Sequence, residues 1–530
     1  MSGIPFKDEY QKYFSELIVV IQARLSSSRL PKKVLEKIGE ASILEHIFAR
    51  LNCIFPKEQI YFAIPEMETE LETYLQSKNW NYQLGSLEDV RSRFLRIAKN
   101  TNAKGIIRYT GDNPFVDLNH LGHLVEVWIH SRMNSKTYDL ISFVGLPLGM
   151  GTELFSFHAL SQTKFAEERH KEHVSLHIKE NPEEFSILRI PYELNSASQK
   201  IRLTIDQKED LEQCRIIFEK LAHENPFFGV KEVLELYESK PEIFTKNYFV
   251  EQLKFSVPNP ITKFVQRILY LFGDPKVYSS GHFERGKLLR NYFFSIGHFV
   301  ELVNFSEREQ FLKNAYDWIV VDSRDESFAT DNPAKVLFID HFGPSQVGAT
   351  KYFALPHPTL PEFSLEQAIV SPLQFLNPSF QKNFILLYLG SLEEKWMQVL
   401  LKKIPISEKV LIISAKIPEP SETAMKRVSK PEYIRLIQNA KLVISYFGLT
   451  TIECMLLGIP VANLGISKVH EELGIDLEKR FGIPYSGDFS KLESLDSIDI
   501  ADLIARNQKQ DANLSQTGFR KLQELVAGVQ

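Results

Sequence analysis

LIVVIQARLSSSRLPKKVL (residues 17–35) opens on an unbroken apolar run and passes at once into a loop crowded with Arg24, Arg29, Lys32 and Lys33. A short apolar run rich in β-branched residues and bounded by polar chain reads as a buried strand. The loop behind it interleaves its cations with the hydroxyls of Ser26, Ser27 and Ser28. At the end of a first strand such a loop can hold a triphosphate, guanidinium and ammonium groups neutralising it while hydroxyls donate hydrogen bonds. GxxxxGK[ST] is absent, so this is not a Walker A loop. The alternative is a solvated basic turn.

Outward from this stretch, IYFAI (60–64), GIIRYT (105–110), DLISFV (139–144) and IRLTI (201–205) read as further buried strands. SILEHIFARL, LEDVRSRFLRIAKN and KEDLEQCRIIFEKL between them carry helical spacing. Alternating strands and helices predict an α/β fold with a mostly parallel sheet covered on both faces. Ligands in such sheets sit beyond the carboxyl ends of the strands. The pattern weakens near 225, and KFSVPNPITKF, with Pro258 and Pro260, reads as a linker. It restarts with VELVNF, DWIVVD, AKVLFID, FILLYLG, KVLIIS and KLVIS, and the Pro-rich ALPHPTLPEF (354–363) divides this second unit into two lobes. The predicted organisation is a domain over 1–245, a linker over 246–275, a first lobe over 276–375 and a second over 376–530. The final residues are expected to form a surface helix or a frayed tail.

Length agrees, since 530 residues exceed what one core supports. A net charge of −5 gives no basic surplus for a general nucleic-acid surface. The opening MSGIPFKDEYQKYF lacks the apolar core of a secretory signal, and no apolar run is long enough to span a bilayer. Cys53, Cys214 and Cys454 lie far apart with no CxxC spacing, which excludes a cysteine-rich zinc site and fits a reducing cytoplasm.

Two aspartates follow apolar runs: Asp112 in GIIRYTGDNP and Asp206 in IRLTIDQKED. Both are thereby expected at the functional edge of the sheet, where Mg²⁺ binds through one or two carboxylates plus substrate phosphates. The alternative for each is a helix N-cap. His170, His173 and His177 in ERHKEHVSLHIKE fall on one face of a predicted helix, but the order is not HExxH and no thiol or carboxylate stands at metal spacing.

In the second unit KVYSSGHFERGKLL places Gly281 and His282 at a helix start, which favours a neutral imidazole able to accept a proton. DWIVVD sets Asp322 at a strand end. In KLVISYFGLTTIECMLLGIPVANL, Gly448 and Thr450 begin a helix whose N–H groups can hold a diphosphate, with Glu453 placed for ribose hydroxyls. The alternative there is an ordinary βαβ turn capped by Thr450.

IVVIQARLSSSRLPKKVLEKIGEASILEHIFARL closely resembles the opening of the SpsF-type spore coat polysaccharide proteins. These belong with the cytidylyltransferases that make CMP-sugars, including CMP-KDO and CMP-nonulosonate synthetases. The likeness continues through LGSLEDVRSRFLRIAKN, IIRYTGDNPFVD, KEHVSLHI and LTIDQKEDLE and covers most of 16–222. It implies a Rossmann-like, GT-A-like nucleotidyltransferase domain that takes CTP and a sugar acid. It also implies that Arg24, Ser27, Arg29 and Lys33 contact the triphosphate and that Asp112 and Asp206 hold Mg²⁺. Lys33, Asp112 and Asp206 would then be catalytic. Where the family carries glycine this chain has Ser26 and Lys32, and Glu153 is the carboxylate nearest the family's acidic position. Glu153, with Glu172 and His173 of the family's Glu-His-Val segment, is the expected sugar-binding set.

The SGHFER and FGLTTIEC motifs resemble the SpsG/PseG group of nucleotide-sugar hydrolases, over about 276–485. That resemblance implies a two-lobed GT-B-like unit for a UDP-sugar, with His282 as the base that activates water and Gly448, Thr450 and Glu453 as the diphosphate grip. Ser279 stands where the group has a glycine. Together the halves predict a bifunctional cytoplasmic enzyme of surface-polysaccharide precursor synthesis. The alternatives are a glycosyltransferase in the second half, or a nucleotide-sugar-binding or assembly protein. A homodimer is left open.

Overall fold

The structure, a computed structural model, describes residues 6–27, 29–164, 167–191, 200–247, 265–275, 280–343, 347–360, 363–376, 382–390, 392, 394–417, 421, 423–426, 428–488, 493–494, 497–507 and 517–527. Ser28, Pro258, Pro260 and Ser279, and with them most of the predicted linker, lie outside the described residues. The described chain divides into two compact units, one built on 11–262 and the other mainly on 263–530.

In the first unit the opening run becomes β1 (Leu17–Gln22), with all but its last residue buried. A short hairpin follows, β2 (Lys37–Ile38) and β3 (Ala41–Ser42). The main sheet continues with β4 (Ile60–Pro65), β5 (Asn81–Gly85), β6 (Gly105–Thr110), β7 (Leu140–Val144), β8 (Glu153–Ser156) and β9 (Ile187–Pro191). Among the described residues its order is β5-β4-β1-β6-β8-β7-β9. The strands from β5 to β6 run parallel, while β8 is antiparallel to both its neighbours. The helix Val90–Thr101, opened by Asp89 accepting from Ser92 N at 2.8 Å, lays Val90, Phe94 and Ile97 on Ile18, Val20 and Ile106. Each such side chain, fully buried, contributes roughly 1.5–3 kcal/mol.

β1 and β6 are paired from Leu17↔Gly105 to Gln22↔Thr110. Their exits, Ala23 and Gly111, therefore stand side by side, and Gly111 N donates to Gln22 O at 2.8 Å. A side chain at Gly111 would meet Ala23 Cβ and Gln22 O, each at 3.1 Å. Both contacts are tighter than a Cβ ordinarily makes, so a larger residue here would push the two loops apart by a few tenths of an ångström.

IRLTI is not a strand. It makes one isolated parallel bridge, Leu148↔Arg202. Its amides bond to loops instead, Leu203 N to Leu148 O at 2.7 Å and Ile205 N to Asp112 O at 2.9 Å. The apolar run reported burial correctly, since Ile201, Leu203 and Ile205 are at most 1% exposed. Burial of this segment is met by loop carbonyls rather than a ladder.

The second unit holds two further parallel sheets. One has the order β11-β10-β12-β13-β14, from β10 (Arg267–Phe272), β11 (Phe299–Asn304), β12 (Trp318–Asp322), β13 (Val336–Ile339) and β14 (Thr350–Tyr352). The other has the order β17-β16-β15-β18-β19-β20, from β15 (Phe384–Gly390), β16 (Val410–Ser414), β17 (Ala424–Met425), β18 (Ala440–Tyr446), β19 (Val461–Gly465) and β20 (Tyr485–Asp488). The C-terminal helix Thr517–Ala527 is neither frayed nor part of the second sheet's core. Its Phe519, Leu522 and Val526 pack with Tyr292 and Ile268 against the first sheet, Tyr292 stacking on Phe519 at 4.9 Å. No helix among the described residues is long and apolar enough to cross a membrane.

Candidate functional site

At the carboxyl ends of β1 and β6 lies a cavity of about 190 Å³. Arg24, Ser27, Arg29, Lys33, Asp112 and Asp206 line it, so the nucleotide and metal residues expected of the first unit converge here.

Two backbone ties bring the aspartates together. Asp112 follows β6 directly, and its carbonyl receives Ile205 N. Asp206 is then held by Asp210, which accepts Asp206 N at 2.9 Å and Gln207 N at 3.0 Å. Asp210, third residue of the helix Lys208–Leu221, thus closes back on the N-cap Gln207, while Asp117 is itself the N-cap of Leu118–Met133 and accepts His120 N at 2.8 Å. Neither Asp112 nor Asp206 is spent on capping.

Between them stands Lys33, only 9% exposed. Its Nζ lies 2.9 Å from Asp112 Oδ2, 3.0 Å from Asp206 Oδ1 and 2.7 Å from Ile205 O. Asp206 also meets Arg202 at 2.6 Å and Arg29 at 3.2 Å. Burial pushes the Asp206 pKa up, but the Lys33, Arg202 and Arg29 charges and hydrogen bonds outweigh it and hold the carboxyl below its usual range.

The loop itself is braced from outside. Leu25 N and Ser26 N donate to Glu68 at 2.8 and 3.2 Å, and the Ser26 hydroxyl donates to it at 3.0 Å. Those amides are engaged, so anion binding falls to the side chains. Lys32 adopts φ 57°, ψ 19°, a left-handed conformation that favours glycine, and its ammonium pairs with Glu70 at 2.6 Å. An exposed pair of this kind is worth about 0–1 kcal/mol.

The sugar-binding set divides. Glu172 lines the cavity, whereas Glu153 and His173 do not. Glu153 is 8% exposed and bonded to Arg108 at 3.1 Å, Lys179 at 2.5 Å and Ser175 at 2.6 Å, so it is a buried ionic anchor rather than a presented carboxylate. The expected helix over 170–177 breaks at His173, whose ψ of 78° is not helical, into Arg169–Glu172 and Leu176–Glu180. His170 Nε2 meets Glu180 at 2.8 Å and His177 Nε2 meets Ala159 O at 3.1 Å. Among the described residues no group of three or more His, Cys, Asp or Glu could hold a metal.

Arg93 also lines the cavity, and the sequence motifs did not single it out. It is 3% exposed, donates from one terminal nitrogen to Ala63 O at 3.0 Å, and keeps its Nε buried without a partner among the described residues. Burial lowers its pKa to about 10. The signal was present: Arg93 interrupts the apolar stripe Val90, Phe94, Ile97.

The cytidylyltransferase family model matches residues 18–252. The spore coat polysaccharide biosynthesis protein SpsF of Bacillus subtilis (strain 168) is 30% identical over 241 residues, covering 44% of this chain and 98% of that protein. The chain belongs to the cytidylyltransferase family. Within the family, a 3-deoxy-manno-octulosonate cytidylyltransferase of Rickettsia bellii is 28% identical over 132 residues, 24% of this chain and 51% of that protein. A solved cytidylyltransferase from Leptospira borgpetersenii is 25% identical, covers 45% of this chain and 99% of that one, and gives a TM-score of 0.40. The family match ends near 252, so it describes the first unit and leaves the second to its own geometry.

That second unit has a cavity of about 280 Å³ at the carboxyl ends of both its sheets. Gly281, His282, Arg324, Gly448 and His470 are among its lining residues. His282 opens the helix Gly281–Ser295 and its Nδ1 lies 2.7 Å from Asp322 Oδ1. Asp322, fully buried, also receives Arg285 Nε at 2.7 Å and the Tyr270 hydroxyl. Burial opposes its ionisation, but Arg285 and His282 hold its carboxyl far below the usual range. Gly448 precedes the helix Leu449–Leu457 as expected. Thr450 and Glu453 do not line the cavity. Both are buried and bonded to the Tyr433 hydroxyl, at 2.7 and 2.5 Å, which departs from the diphosphate grip expected of both and from the ribose contact expected of Glu453.

Proposed function

We propose that the first unit transfers CMP from CTP to a sugar acid and releases pyrophosphate. The observation that carries this reading is the convergence of Asp112 and Asp206 on one point, marked by Lys33 Nζ, beside Arg24, Ser27 and Arg29. Two convergent carboxylates fit Mg²⁺, a hard cation that takes its remaining ligands from water and substrate phosphates. When bound, it would neutralise charge on the phosphates.

The chain's own residues supply the rest. Arg24, Arg29 and Lys33 hold the triphosphate, with Ser27 donating a hydrogen bond. A sugar oxygen attacks the α-phosphorus in line, its P–O bond forming as the bond to the pyrophosphate breaks. Such transfer asks for positioning and charge neutralisation more than for a strong base. The substrate is read as a nonulosonate- or KDO-like acid, with Glu172 at the cavity's sugar side. Incubating the protein with CTP, Mg²⁺ and a panel of sugar acids tests this. A CMP-sugar found by mass spectrometry is the expected result, and none from any acid in the panel would end the reading.

For the second unit the reading is a GT-B-like nucleotide-sugar site, and the His282–Asp322 contact favours it. With Nδ1–H donated to Asp322, proton transfer is assigned to Nε2, as a base for water attacking a UDP-sugar requires. Transfer of that sugar to another acceptor is the alternative. Thin-layer analysis of a UDP-sugar incubated with wild type and His282→Ala separates hydrolysis, transfer and neither.

A further inference from the structure

Among the described residues, the cavity of the second unit contains a cation with no ion-pair partner. Arg324, which follows β12, lines it and forms no ion pair among the described residues. The neighbouring Arg285 shows the contrast, being matched by both Asp322 and Asp340. Asp340 also lines the cavity, but its carboxylate is taken by Arg285 and by the amides of Ala354 and Leu355 at 2.7 and 3.1 Å.

His357 and His470 line the same cavity. Burial, and after it the Arg324 charge, holds both imidazoles below their ordinary pKa, His470 at about 4. They are therefore neutral near pH 7 and able to donate one hydrogen bond each without a second cation's repulsion. His470 lies in the first turn of the 14-residue helix Lys468–Phe481, whose positive end adds to the same potential. Phe342 stacks on His357 at 4.0 Å and Tyr446 stands edge-on to His470 at 5.5 Å, which fixes both rings. A partly buried guanidinium loses hydration that an anion's oxygens can restore, matching both its charge and its fork of N–H donors.

We propose that Arg324, with His357 and His470, forms an anion subsite that binds a polyoxygen anionic group of the ligand in this cavity. Resting on the nucleotide-sugar reading of this unit, the proposal has two sources for that group: the diphosphate, or a carboxylate on the attached sugar.

Calorimetric titration of the full chain, wild type against Arg324→Ala and Arg324→Lys, tests it with pyrophosphate, UDP, UDP-N-acetylglucosamine and UDP-glucuronic acid. The first unit is identical in all three proteins, so differences between their isotherms isolate the second. Removing one charge-assisted hydrogen bond to the anion should weaken binding on the order of tenfold or more, with Arg324→Lys between the two. Weakening for all four ligands assigns the subsite to the diphosphate, and weakening for UDP-glucuronic acid alone assigns it to the sugar carboxylate. Equal affinities in wild type and Arg324→Ala for every ligand overturn the subsite, while retained UDP binding would leave the nucleotide-sugar reading standing. Pyrophosphate binding that depends on Arg324, without UDP binding, would keep the subsite and end that reading. Binding of none of the four overturns both.

Discussion

The Lys33 ammonium lies 2.9 Å from Asp112 Oδ2, across 79 residues of sequence. The same nitrogen lies 3.0 Å from Asp206 Oδ1, so one lysine occupies the point at which the two carboxylates of the first unit converge. A divalent cation placed between those carboxylates would have to displace it. Lys33→Ala should therefore bind Mn²⁺ more tightly than wild type when no nucleotide is present, as read by electron paramagnetic resonance. It should also turn over more slowly, by roughly tenfold or more, because a charge-assisted hydrogen bond worth roughly 1.5–3 kcal/mol is gone. Equal Mn²⁺ affinity in both proteins would mean the lysine and the metal do not share that point.

Arg93 supplies a second prediction. Its buried Nε, without a partner among the described residues, would be satisfied by a ligand oxygen reaching it from the cavity. Arg93→Lys keeps the charge and loses the fork, and should weaken CTP by about tenfold. Unchanged CTP affinity with a lowered melting temperature would make Arg93 only a tie between its helix and Ala63 O.

Much of the first unit was legible because β-branched runs between polar loops mark strands, and GIIRYT begins and ends with β6. The antiparallel β8 was not, since the four residues ELFS are too short for a period to register. IRLTI misled because apolar composition reports burial, while its amides answer to loops rather than to a neighbouring strand. In the site, the cationic loop and both aspartates were readable from chemistry and position. Glu153 was not, because only the fold shows Lys179 and Arg108 closing over it, and Arg324 was not, because its isolation is a property of the cavity.

Glu153 gives a pH prediction. Burial raises its pKa, but Lys179 and Arg108 prevail and hold it at about 2 instead of 4.5. A depressed folded-state pKa contributes stability above the unfolded value, and that contribution disappears as pH falls from about 4.5 toward 2. Glu153→Gln should flatten the acid unfolding of the first unit in that window, followed by circular dichroism. Its KM for the sugar should stay near wild type, since the carboxylate does not line the cavity. A large KM change with an unaltered acid profile would return Glu153 to the sugar site.

Asp322 anchors the second unit's network. Asp322→Asn leaves Arg285 buried with Asp340 as its remaining charge partner, and removing one member of such a buried pair costs about 3–5 kcal/mol. His282→Ala should leave the melting temperature nearly unchanged, because His282 borders the cavity rather than the core. Comparable destabilisation of both variants, by differential scanning calorimetry, would assign His282 a structural role.

The most direct test of the central claim is Mg²⁺-dependent release of pyrophosphate from CTP in the presence of a sugar acid, compared among wild type, Asp112→Asn and Asp206→Asn. The account predicts release by wild type that stops when Mg²⁺ is chelated, and near-complete loss in both variants with the fold retained by circular dichroism. Near wild-type release by either variant at ordinary Mg²⁺ would contradict it.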